Sequence, residues 1–283
     1  MPPRSTPTAR QQRLGSELRK LRERAGLSSS EAATQLGIDR ARISNTEAGR
    51  FGVSPDRVRA FARILGCADE QYIEALAAMA ADRTKGWWEE YREDLPAYWL
   101  DLAELEYHAT TLHSVVTMHM PGLLQTEEHA KSVFATAVPE LTPAELRRRL
   151  SHRMKRRDIL DREQAPQCVF LVHEAALRMQ FGGRKVARAQ LTHLAEASER
   201  QNITVRTIPF SAGGFPNAGN SMLYAGGAVP RLDTVQLDAG HGSVMLDAET
   251  HLDNYRAILN RTEELAMNPE QSRDLILEIM RSV

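Results

Sequence analysis

The feature that most constrains this chain is the punctuation of its first eighty residues. Ser28-x-x-Glu31, Gly37, Asp39, Gly49, Ser54-Pro55 and Gly66 follow one another at intervals too short for any long element. Ser or Asp ahead of an apolar-periodic stretch caps a helix, and Gly just past it ends one. The segment can therefore be only a set of short helices. The first begins at Thr8, where Thr8-x-x-Gln11 forms a capping box and Leu14, Leu18, Leu21 and Ala25 share one face. The second runs from Ser28 to Gly37 with Ala32, Ala33 and Leu36 inward. The third runs from Asp39 to about Ala48, and the fourth from Ser54 to Gly66 with Pro55 at its first position. A fifth carries Tyr72, Ile73, Leu76 and Ala80.

The third helix is the odd one. "DRARISNTEAGR", Asp39–Arg50, holds three arginines around one large apolar residue, Ile43. Charge is uneven along the chain. Residues 1–66 carry a balance of +7 and residues 67–110 a balance of −8, within a total of −1. A basic N-terminal module in a neutral chain points to an anionic partner. The acidic block is either a solvated linker face or a shield for that module. A helix, a three-residue turn containing Gly37 and Ile38, and a second helix have helix-turn-helix spacing, which lays the second helix in the DNA major groove. Its outer face would carry Arg40, Ala41, Arg42 and Asn45 to base edges: Arg can pair guanine, and Asn adenine, with two hydrogen bonds each. Phosphate contacts are expected at Ser44 and at Ser28 and Ser29, where the free N–H groups of a helix start can hold an anion.

The text "LRKLRERAGLSSSEAATQLGIDRARISNTEAGR" resembles the Xre family of bacterial regulators, with the lambda-repressor/Cro type of DNA-binding domain, over about residues 10–70. The resemblance implies that Arg22 pairs with Glu47 as a structural brace and that Arg50 contacts phosphate. It also implies binding as a homodimer to double-stranded DNA. Where the family usually has Gln, this chain has the shorter Ser29.

The remainder, expected to begin near Thr84–Gly86, mixes helices and strands. Domains are expected at 8–82 (helix-turn-helix) and 83–283 (regulatory and dimerising). All three tryptophans, Trp87, Trp88 and Trp99, cluster after the boundary with Tyr91 and Tyr98, as a packing junction or a ligand cage. Helices are expected over 97–111, from Thr126, over 143–161, from His173 to Gly182, over 185–200 and from Asn268. Extended stretches are expected at 113–120, 167–172 and 203–210 and in three Gly- and Pro-separated segments that follow. The fold class is thus a mainly α five-helix module plus an α+β domain with a small antiparallel sheet. The run "RRRLSHRMKRR", 147–157, is either a solvated face with some charge pairing or a second nucleic-acid contact.

"LEYHA" (105–109), "PGLLQT" (121–126), "EAALR" (174–178) and "QLTHLAEASERQNITVRTIPF" resemble, in order, the C-terminal domain of unknown function found behind such helix-turn-helices in actinobacteria. Those proteins are described as antitoxin-like regulators, often encoded beside a small partner protein. His108 and the "HM" before "PGLLQT" depart from the usual pattern. The resemblance lends no catalytic residue, and the chain shows no His-Glu-x-x-His, Gly-rich phosphate loop or Gly-x-Ser-x-Gly. No enzyme activity, cofactor or metal is expected, and Cys67 and Cys168 read as reduced thiols.

No secretory signal or membrane span is expected, so a cytoplasmic protein is. The expected function is a sequence-specific, antitoxin-like transcriptional regulator. Its C-terminal domain would dimerise and receive a signal from a small partner protein or a small-molecule effector. The alternatives are an antitoxin that binds DNA only to regulate itself and an enzyme with a DNA-targeting module.

Overall fold

A computed structural model describes residues 7–82, 85–239 and 242–283. Most of the polar N-terminal tail and Thr84, at the expected domain boundary, lie outside them. The chain divides into two compact units, Met1–Glu89 and Glu90–Val283.

The first unit holds α1 (Ala9–Arg24), α2 (Ser29–Leu36), α3 (Arg40–Glu47), α4 (Pro55–Ile64) and α5 (Glu70–Ala81). Each start has its side-chain cap. Thr8 and Ser28 form complete capping boxes, with Gln11 and Glu31 reaching back to the cap N–H. Asp39 accepts from the N–H of Arg42, Ser54 from Arg57 and Asp69 from Tyr72. Gly37, in the left-handed region at φ 62°, ends α2. The five helices bury one small core that includes Leu18, Leu21, Ala32, Ala33, Ile43, Val58, Phe61, Tyr72, Ile73 and Leu76.

The second unit contains α6 (Ala97–His108), β1 (Thr111–Val116), α7 (Glu127–Phe134), α8 (Pro143–Arg156) and β2 (Gln167–His173). These are followed by α9 (Glu174–Arg178), α10 (Arg184–Ala197) and β3 (Ile203–Ile208). The chain then runs through β4 (Met222–Gly226), β5 (Thr234–Ala239), β6 (Gly242–Leu246), α11 (Glu249–Leu265) and α12 (Pro269–Ser282). The small antiparallel sheet expected from the sequence is not the one that forms. The sheet has six strands in the order β3-β2-β1-β4-β5-β6 and is mixed. β1 pairs β2, and β2 pairs β3, in parallel; the pairs β1–β4, β4–β5 and β5–β6 are antiparallel. The cause is connection length. Helices α7 and α8 separate β1 from β2, and α9 and α10 separate β2 from β3, so each strand returns in the same direction. Seven residues separate β4 from β5 and two separate β5 from β6, and both of those pairs are antiparallel.

Both faces of the sheet are covered. One carries Leu112, Phe170, Val172, Val205 and Leu223 against α10 and α12; the other carries Val115, Leu171, Ile208, Met222 and Val235 against α11. Strands buried on both sides read as apolar runs rather than alternations, which is why "QCVFLV" is so continuous.

Several boundaries differ from expectation. The helix expected over 97–111 stops at His108, and that over 143–161 tightens into a 3₁₀ turn at Arg157–Leu160. The helix expected from His173 to Gly182 is five residues long. Helix α11 was not expected; its start, at Ala248, has no side-chain cap to betray it.

Candidate nucleic-acid interface

Helix α3 buries one apolar side chain, Ile43, at 1% exposure. Arg40, Ala41, Arg42 and Ser44 are exposed, and Asn45 is half-buried. A helix this short gains little from its own hydrogen bonds, so its position must come from neighbours. Three contacts supply it. Arg22 on α1 meets Glu47 with a two-pronged pair: Nε donates to Oε1 at 2.6 Å and Nη2 to Oε2 at 2.9 Å, while Nη1 donates to the Leu27 carbonyl at 2.8 Å. Both side chains are buried, and the Glu47 hydrogen bond holds the guanidinium above its ordinary pKa. Gly15 lets α1 approach the end of α3, since a Cβ there would stand 2.4 Å from the Glu47 carbonyl oxygen. Gly49, at φ 70°, faces the Gln11 backbone with a Cβ position at 2.9 Å. Helix α3 is thus clamped at its C-terminal end, and its arginine-bearing N-terminal half projects.

The expected contact residues differ in how free their polar groups are. Arg40, Arg42 and Arg50 are exposed, and no carboxylate lies within ion-pair distance of any of them among the described residues. The Asn45 amide Nδ2 donates to the Ala41 carbonyl at 2.9 Å, leaving its Oδ1 and one N–H for a base edge. At the start of α2, the Ser28 hydroxyl accepts from the Glu31 N–H at 3.2 Å and the Glu31 carboxylate accepts from the Ser28 N–H at 2.7 Å. These bonds hold the Glu31 carboxyl below its usual pKa range. Ser28 is therefore committed to the cap, with a carboxylate beside it. The Ser29 N–H, one position on, is the better-placed donor for a phosphate.

One structural element of this unit was invisible in the spacing. Glu17, 2% exposed, accepts from Arg13 Nε at 2.9 Å, Lys20 Nζ at 2.7 Å and the buried Tyr72 hydroxyl at 2.5 Å. This buried network ties α1 to α5. Arg13 and Lys20 sit four and three residues from Glu17, a helical signal that could have marked these pairs, but the Tyr72 partner could not be read.

Several sequence-marked residues of the second unit come together. Glu106, Gln125, Arg153 and Arg156 line a single cavity with Trp99. The basic run 147–157 is therefore neither a uniformly solvated face nor an open basic stripe. Arg156 pairs with buried Glu106 at 2.7 and 2.5 Å, whereas Arg148 and Lys155 face Asp94 and Glu90. The tryptophans divide too. Trp87 and Trp88 meet edge to face at 5.9 Å, and Trp99 packs on Phe134 and His152. Cys67 and Cys168 are free, and burial pushes the Cys168 thiol up to about 12. No helix among the described residues is long and apolar enough to cross a membrane.

Two short helices with a glycine-ended turn, the second braced from behind and bare in front, form a helix-turn-helix, the architecture of DNA-binding regulators. A family model described as a helix-turn-helix domain matches residues 13–76. A second, described as a domain of unknown function (DUF5753), matches residues 99–278, and the chain belongs to that family. No curated protein and no solved structure matches it.

Proposed function

We propose that the chain is a sequence-specific transcriptional regulator of Xre type that acts in the cytoplasm as a homodimer on double-stranded DNA. Arg40, Ala41, Arg42 and Asn45 read base edges. Ser28, Ser29, Ser44 and Arg50 hold the backbone, with Ser29 contributing more than Ser28. The second unit dimerises and receives the signal, a small partner protein or a small molecule, in an antitoxin-like arrangement without catalysis. The observation that carries the reading is the polarity of α3: one buried apolar residue, a clamped C-terminal end and an exposed, unneutralised row of arginines. A helix made for a core would not leave that row bare. Two-fold dimers of this type meet half-sites about 34–36 Å apart.

The test is genome-wide mapping of the DNA bound by the full chain, beside an Arg40→Ala variant. The reading expects discrete sites sharing one two-fold sequence, lost or blurred in the variant. Uniform, sequence-independent occupancy by the wild type would defeat it.

A further inference from the structure

Three motifs that DNA binding does not use meet in the second unit. Glu106 from "LEYHA", Gln125 from "PGLLQT" and Arg153 and Arg156 from the basic run line a cavity of about 370 Å³. That volume lies at the small end of the range for ligand sites. Strand residues Phe170 and Leu223 and the Trp99 ring supply apolar wall, and Asp238 of β5 a second acid.

The charges are unequally satisfied. Arg156 and Glu106 neutralise each other in a two-pronged buried pair. Arg153 has no carboxylate within ion-pair distance among the described residues. Its Nη1 donates to Gln125 Oε1 at 2.6 Å, and its buried Nε has no acceptor. The guanidinium carbon stands 4.9 Å from the Phe134 ring centre and 5.8 Å from that of Trp99, so its plane is held by aromatic walls. Gln125 is itself fixed, donating to the Met120 carbonyl at 2.9 Å. Burial, then the like charge of Arg156, pushes Arg153 down to about 9, and an anion beside it would relieve that cost. Asp238 is exposed, accepts from Gln236 Nε2 at 2.7 Å, and has no cation within ion-pair distance among the described residues. An inorganic anion would leave the apolar wall and Asp238 unused.

We propose that this cavity binds a small zwitterion of amino-acid type, with its carboxylate on the Arg153 fork, its ammonium toward Asp238 and its side chain against Trp99 and the sheet. Planar guanidinium recognises carboxylate with two parallel hydrogen bonds, which lysine cannot do. Gln125 is a positioning residue that keeps the fork turned to the ligand. The proposal deepens the reading of the second unit as a signal receiver and rests on it only for the consequence at DNA.

The experiment is ligand-observed NMR and calorimetry on the full chain without DNA. The probes are the common free L-amino acids and, for each one that binds, its decarboxylated amine and its deaminated acid. The expected result is binding of at least one amino acid, weaker binding of its acid and none of its amine. Arg153→Gln should weaken the amino acid about tenfold or more, and Arg153→Lys, which keeps the charge and fills the site, should weaken it too. Asp238→Asn, at an exposed position, should weaken the amino acid and leave the acid unchanged. No amino acid bound at millimolar concentration, an amine that binds as well as its amino acid, or binding indifferent to both Arg153 variants would overturn the proposal. A gel shift of the ligand-free chain reads DNA binding separately, so the two readings fail independently.

Discussion

At the scale of residues, base readers and phosphate holders should respond differently to substitution. Arg40→Ala and Asn45→Ala should each cost about 1–3 kcal/mol of discrimination at one base pair, measured by gel-shift titration against a bound site and its point mutants. Asn45 already gives one N–H to Ala41, so reading adenine needs no more than its remaining N–H and Oδ1. Arg50→Ala should act otherwise: affinity falls on all sequences alike, and the slope of log affinity against log salt drops by about one. An unaltered salt slope would remove Arg50 from the phosphate contacts. The roles of Asp39, Gly37 and Ile43 were legible because each is local, a cap, a turn or a lone apolar residue. Gly15 was not. Its constraint comes from the backbone of Glu47, distant in sequence and near only once α1 crosses α3. Gly15→Ala should lower stability by about 1–3 kcal/mol in thermal or urea unfolding, because a backbone carbonyl cannot move aside.

At the scale of elements, α3 depends on α1 more than on itself. Removing Arg22 alone strands a buried carboxylate, and removing one partner of a buried pair costs about 3–5 kcal/mol. Arg22→Ala should therefore destabilise the first unit by that order, and the double variant with Glu47→Ala should recover part of the loss. Additive losses in the urea-unfolding cycle would show that the pair does not couple the helices. The helices of this unit were legible because every start carries a capping side chain. The second unit was less so. Strand order depends on whether connections cross over, and "HSVVTMHM" and "QCVFLV" hold no record of their partners. Parallel pairing of β1 and β2 follows from the two helices between them. Helix α11 escaped because nothing at its start caps it. The cavity escaped because its polar residues lie on α6, on α8, in the 121–126 segment and on β5, and meet only in the folded unit.

At the scale of the whole molecule, stability and function call for different measurements. His129 is 1% exposed, and neither ring nitrogen has a hydrogen-bond partner among the described residues. Burial, then the neighbouring His119 and Arg153, push its pKa down to about 4 from an ordinary 6.5. Between those values the unfolded chain binds a proton that the folded chain does not. The stability this ring contributes is thus complete above pH 6.5 and is lost as pH drops toward 4. From pH 7 to pH 5 this ring should cost about 2 kcal/mol, and His129→Leu should show a correspondingly smaller loss in urea unfolding at the two pH values. An equal loss in both proteins would assign the acid sensitivity elsewhere. The central claim, that this chain reads DNA sequence through α3, is tested most directly by selecting duplexes from a random pool with the purified full chain. The account predicts enrichment of one two-fold motif with half-sites about one helical turn apart, and loss of specific positions from that motif in Arg40→Ala. A pool that stays random, or a motif identical in wild type and variant, would contradict it.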